Sequence, residues 1–353
     1  MIKGIQLLRA IAALAVVFYH CHFLNMETGT FGVDIFFVIS GFIIAYMVNQ
    51  NTDQFLLKRA IRVVPLYALA TLLTIALVYL KPQWFNHVIV NTEAVVKSFL
   101  FIPYEMKESG PILSLGWTLN NEMFFYLVMA ICILCIRKKQ YLVPACASFL
   151  VLLLLILNAF AKQHITDLSY ILRFYRNGLL PEFVYGLLLY YFWTYGKTNH
   201  SRSIKSLMIA VGILAFFGII YMDLTQTLGW LPRNVRYGIP SVLFVNALLL
   251  LENRINANNI FVRLGLKLGD ASYAMYLFHP FIIHFLIKLV YPSLIGSSPA
   301  LWVKVLELGL ALVLVSVVSI IIFELVDKPS SVLLKKFIRK QGKTLSRLEA
   351  QQL

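Results

Sequence analysis

Residues 142–160 read LVPACASFLVLLLLILNAF, nineteen positions without a charged side chain. The hydrocarbon core of a bilayer takes about 17–25 such residues as one helix. In lipid the backbone must satisfy its own hydrogen bonds, so a run of this kind reads as helix. Outward from it, comparable apolar runs lie near 4–24, 32–49, 64–80, 117–136, 178–195, 204–222, 238–252, 272–291 and 302–326. The expected fold is an all-α, polytopic membrane bundle of about ten transmembrane helices. Residues 1–328 form the membrane domain and 329–353 a basic tail. The longest loop is 81–116, with an apolar patch at 98–103 expected at the membrane surface.

Composition points the same way. Hydrophobic residues make up 60% of the chain and charged residues 13%, where a soluble domain has about 45–50% and about 25%. Net charge is +15, but the basic residues sit in loops and the tail, which argues against nucleic acid as a partner. With the N-terminus inside, twenty Lys and Arg fall on inner segments and eight on outer ones, Arg233 among the eight. This asymmetry predicts both termini in the cytoplasm. The first run lacks a small-x-small cleavage site and is expected to stay as helix 1. Cys132 and Cys135 lie in an apolar run and read as buried thiols.

Ionisable groups inside a bilayer cost roughly 2.5–3.5 kcal/mol on insertion scales, so they mark function. The candidates are Arg9, His20, Asp34, Glu122, Glu182, His279, Lys288 and Glu324. Arg9 and His20 are eleven residues apart, three helical turns, so they share a face about 16 Å apart. Depth puts Arg9 low, above Lys58, Arg59 and Arg62. It puts His20, Glu122 and Asp34 high, at one level. The low group is cationic and suits a phosphorylated donor. The high group pairs an imidazole with carboxylates. A carboxylate on one ring nitrogen would leave the other as a base for a hydroxyl attacking a thioester.

Structural readings stand beside these. His20 can cap a helix end, Asp34 can cap helix 2, and Arg59 and Arg62 can be plain inner-loop cations. Glu182 and Glu324 can be struts between helices, and Lys288 and Lys304 snorkel. His22 reads as interfacial. Gly32, Ser40 and Gly41 are read as close-packing positions.

Six motifs occur in order: LRAIAALAVVFYH with Arg9 and His20; FGVDIFFVISGFII with Asp34, Ser40 and Gly41; FLLKRAIRVVPLY with Arg59, Arg62 and Pro65; LGWTLNNEMFFYL with Trp117 and Glu122; SYAMYLFHP with Tyr273, Tyr276 and His279; and FELVDKP with Glu324 and Pro329. In these the chain resembles the acyltransferase-3 family of bacterial membrane acyltransferases, nearest its exopolysaccharide, succinoglycan-type branch. Thr118 stands where many members have Ser.

The resemblance implies ten helices, cytoplasmic termini and a multi-pass place in the bacterial inner membrane. It implies acetyl-CoA, or another acyl-CoA, as donor, with no permanently bound cofactor and no metal. The acceptor would be a hydroxyl of a polysaccharide or lipid-linked oligosaccharide. Membrane lipid and polysaccharide-assembly proteins are the other expected partners. His20, Glu122 and Asp34 would then be catalytic, and Arg9, Arg59 and Arg62 would bind the donor. Trp117, Tyr273 and His279 would contact substrate. No SGNH hydrolase-like domain is expected after the tail. The competing expectation is a glycan or lipid-linked sugar transporter; the lack of an inverted repeat or paired broken helices argues against it.

Overall fold

A computed structural model describes residues 2–21, 28–85, 88–104, 110–160, 168–176, 179–290, 301–334 and 336. Among the described residues there are helices and turns and no strand. The helices are α1 (Lys3–His20), α2 (Phe31–Gln50), α3 (Phe55–Leu80), α4 (Thr92–Phe99), α5 (Gly116–Cys135), α6 (Leu142–Phe160), α7 (Leu168–Arg176), α8 (Leu180–Asn199), α9 (Arg202–Thr225), α10 (Ile239–Leu250), α11 (Ile260–Phe285) and α12 (Leu301–Ile322). Eight are long and apolar enough to cross a membrane: α1, α2, α3, α5, α6, α9, α11 and α12. The other two expected runs fall on α8 and on a shorter apolar helix, Asn234–Leu250, whose first turn is π-helical. His22 and most of the basic tail lie outside the described residues.

Helix α3 departs from expectation. It begins at Phe55 rather than near 64 and runs through Pro65. Lys58, Arg59 and Arg62 are therefore helical, not part of a loop. Their charges hide the first turns from a hydropathy reading. The patch at 98–103 begins in the last turn of α4, which docks on α3: Tyr67 donates to the Ser98 carbonyl at 3.2 Å.

Bundle packing depends on small residues. Lipid is as apolar as a side chain, so helices associate where backbones approach closely. Helix α2 lies along α8, and α1 along α11. A Cβ on Gly41 would sit 2.1 Å from the Phe183 carbonyl oxygen, and one on Gly186 2.1 Å from that of Val38. Gly32 likewise meets the Ala12 carbonyl. Ser40, expected beside them as a packing residue, instead turns to a cavity described below.

The start of α1 is tied to the turn after α10. Glu252 accepts from the Lys3 and Gly4 amides at 3.0 and 2.7 Å, and Lys3 Nζ donates to the Ile255 carbonyl at 2.7 Å. A carboxylate here satisfies two of the four amides that a helix start leaves unpaired and complements its dipole. The N-terminus and the 252–255 turn thus share one end of the bundle, as the charge reading required.

Candidate active site

Helices α1, α2, α3, α5 and α11 enclose a cavity of about 140 Å³. Arg9, Arg59 and Arg62 line it, with Glu122, Tyr126 and Tyr273. On α3 the two arginines are one turn apart and share a face. Arg62 Nη1 donates to Asp327 at 2.8 Å, and its guanidinium lies 5.6 Å from the centre of the Tyr273 ring. Arg59 lies 5.9 Å from the Tyr126 ring and reaches Met47 Sδ. Arg9 donates to Gln6 at 3.2 Å. Each guanidinium has five N–H donors, so these contacts orient the groups without exhausting them. Glu122 faces the same space, accepting from Tyr126 and from Ser40. Tyr273 donates to the Val63 carbonyl at 2.8 Å.

At the far end of α1, His20 meets His279 of α11. Their rings stand edge to face with centroids 4.7 Å apart. His20 Nδ1 is 2.9 Å from the Val16 carbonyl and His279 Nδ1 is 3.1 Å from that of Met275. A carbonyl oxygen can only accept, so each Nδ1 carries a proton. His279 is wholly buried, and its Nε2 has no partner among the described residues. The pair abuts the cavity through Tyr276: its ring centroid lies 6.2 Å from His279, and it lines the cavity.

Two expected partnerships for His20 are replaced. Asp34 is fully buried and accepts from Arg233 Nε at 3.0 Å and Nη2 at 2.7 Å. Six residues separate Asp34 from Ser40, which turns them about 120° apart around α2. Ser40 therefore faces the cavity while Asp34 faces Arg233. Asp34 is not the side-chain cap of α2 either; Thr30 holds the cap position. Glu122 joins the arginine cavity rather than the imidazoles. His20 Nδ1 is held by a backbone carbonyl, not by Asp34 or Glu122.

Glu324 is not a strut. It pairs at the surface with Lys328, and Asp327 takes the buried position toward Arg62. A π-helical turn at Phe323–Asp327 makes the difference. The wider turn shifts every later side chain around the axis. Glu182 is buried beside Gly238, whose Cβ would lie 3.1 Å from its Oε1. Trp117 packs on the main core and is not part of the arginine cavity's lining. Reading the sequence missed Asp327, Arg233 and Tyr126. A signal for Arg233 was available: a buried Asp needs a cation, and the outer loops held few.

A family model for an acyltransferase domain matches residues 2–324. The chain is 30% identical over 293 residues to the exopolysaccharide production protein ExoZ of Rhizobium meliloti, covering 80% of this chain and 86% of that one. It is 26% identical over 370 residues to the putative peptidoglycan O-acetyltransferase YrhL of Bacillus subtilis, covering 97% and 55%. It is 24% identical over 310 residues to the O-acetyltransferase OatA of Staphylococcus aureus, covering 80% and 51%. The chain thus spans about half the length of these last two relatives. No solved structure matches it. A match across nearly the whole bundle, with the motif arginines gathered at one cavity, means that the chain belongs to the acyltransferase-3 family of membrane O-acyltransferases.

Proposed function

We propose that this protein moves an acetyl group from acetyl-CoA to a hydroxyl of an exported or cell-surface polysaccharide. The gathering of Arg9, Arg59 and Arg62 at one cavity inside an apolar bundle carries this reading. Guanidinium groups suit the phosphates of a CoA donor. Relatives named for O-acetyl transfer and for exopolysaccharide production support the group and the acceptor class. The arginine end is the cytoplasmic end, where acetyl-CoA is made, in the bacterial inner membrane.

In the reaction, the thioester arm extends from the arginines past Tyr276 toward the imidazoles. His20 Nε2 takes the proton of the acceptor hydroxyl as its oxygen attacks the thioester carbon. The C–O bond forms, the C–S bond breaks, and the proton passes from His20 to the departing thiolate. General base catalysis of this kind contributes about 10²–10⁴-fold.

The test uses purified protein in nanodiscs with radiolabelled acetyl-CoA. Donor binding is expected to be saturable and to weaken in Arg62→Ala, while acceptor affinity stays unchanged. Equal donor binding by wild type and by the triple Arg9, Arg59, Arg62 alanine variant would refute the donor site.

A further inference from the structure

The hydroxyl-bearing residues that line the arginine cavity are Ser40, Thr118, Tyr126, Ser272, Tyr273 and Tyr276. Every one but Ser272 has a partner within the protein. Ser40 and Tyr126 donate to Glu122, and Tyr273 donates to the Val63 carbonyl. Thr118 Oγ1 donates to the Leu115 carbonyl at 2.9 Å and so accepts from Tyr276, whose hydroxyl is 2.7 Å away. Ser272 is fully buried, and its Oγ has no hydrogen-bond partner among the described residues.

A serine or threonine inside a helix can turn its hydroxyl back to the carbonyl four residues earlier. Thr74 does so, donating to the Ala70 carbonyl at 3.0 Å. Ser272 does not, so a hydroxyl is left in an apolar bundle without compensation for its lost water. A ligand group in the cavity would supply the missing partner.

The place of Ser272 in the bundle defines that ligand. Helices α1 and α11 run parallel: Gly269 meets the Gln6 carbonyl near the start of α1, and His279 meets His20 at its end. Three residues beyond the first contact, Arg9 and Ser272 stand at about one height. Along α11, Ser272, Tyr276 and His279 are spaced four and three residues apart and share a face. Ser272 thus heads a polar stripe that rises from the arginines to the imidazoles. The Arg62 side chain is 32% exposed, so the phosphates of a donor meet the guanidinium at the mouth, while Ser272 lies inside. Ordinary ligand pockets begin near roughly 300 Å³, so a cavity of about 140 Å³ takes a narrow chain rather than a nucleotide. The arm of acyl-CoA is such a chain, and its amide groups both donate and accept hydrogen bonds.

We propose that Ser272 is a donor-binding residue whose hydroxyl bonds an amide of the acyl-CoA arm as the arm leaves the arginines. The proposal rests on the acyltransfer reading above, and a pair of probes separates the two. Acetyl-CoA carries the phosphates and the arm together. Adenosine bisphosphate carries phosphates without the arm. Each is titrated calorimetrically into the full chain in nanodiscs.

Ser272→Ala is expected to weaken acetyl-CoA binding by about three- to tenfold and to leave adenosine bisphosphate binding unchanged. Its melting temperature is expected to match the wild type, because the lost hydroxyl has no partner within the protein. Wild-type acetyl-CoA affinity in Ser272→Ala overturns the proposal; the hydroxyl would then meet only water, and the donor site would stand. Equal weakening of both probes also overturns it, since Ser272 would then shape the arginine site rather than touch the arm. No acetyl-CoA binding by the wild type would refute the donor site itself, and the role of Ser272 with it.

Discussion

The imidazoles of His20 and His279 meet edge to face 4.7 Å apart, each holding its Nδ1 proton on the carbonyl four residues earlier in its helix. Both Nδ1 atoms are therefore held by backbone, without help from Asp34 or Glu122. His20→Ala is expected to lower the acetyl transfer rate by about 10²-fold or more, with the protein still folded in the membrane. Initial rates with labelled donor, beside a size-exclusion profile of the variant, decide this. A wild-type rate in His20→Ala moves the base elsewhere.

Arg233 holds the buried Asp34 with two hydrogen bonds. Removing one member of a buried pair costs about 3–5 kcal/mol; Arg233 is 40% exposed, which brings the expected cost of Arg233→Ala to the low end. Arg233→Ala is expected to reduce the yield of folded protein. Adding Asp34→Asn is expected to recover part of it, because the Asp34 charge is then no longer left alone. Thermal unfolding in detergent measures both. Asp34→Asn alone is expected to keep a measurable transfer rate. A folded but wholly inactive Asp34→Asn would return Asp34 to the catalytic group.

Asp327 reaches Arg62 across 265 residues of chain. Asp327→Ala is expected to cost about 1–3 kcal/mol and to weaken donor binding by freeing the Arg62 side chain. The double variant with Arg62→Ala should lose less than the two single losses added together. Additive losses in unfolding measurements would show that the pair does not couple.

Gly41 and Gly186 let α2 and α8 touch backbone to backbone. A methyl group at either site would overlap a carbonyl oxygen of the facing helix. Gly41→Ala and Gly186→Ala are each expected to destabilise by about 1–3 kcal/mol. Unchanged melting temperatures would mean the helices separate at no cost.

Much of the site is legible in the sequence. Arg9 and His20 share a face because helical spacing is a property of the backbone. Arg59 and Arg62, one turn apart, had to point together once helical. The level of His20 followed from its distance to the helix end. What depth cannot give is direction around the axis. Asp34, Glu122 and His20 were placed at one height and read as one group; the rotation of α2 sends Asp34 to Arg233, and that of α5 sends Glu122 to the arginines.

The apolar helices follow from composition and run length, because a chain in lipid must close its own backbone hydrogen bonds. The sequence also pointed to the burial of Asp34, Glu182 and His279, while Asp327 escaped it. Partners between helices come from the packing of the bundle. Asp34 with Arg233, Asp327 with Arg62 and His20 with His279 join distant segments, through helix rotations and a π-helical turn. Those features arise from how side chains of different helices pack against each other, and spacing within one segment carries no record of it.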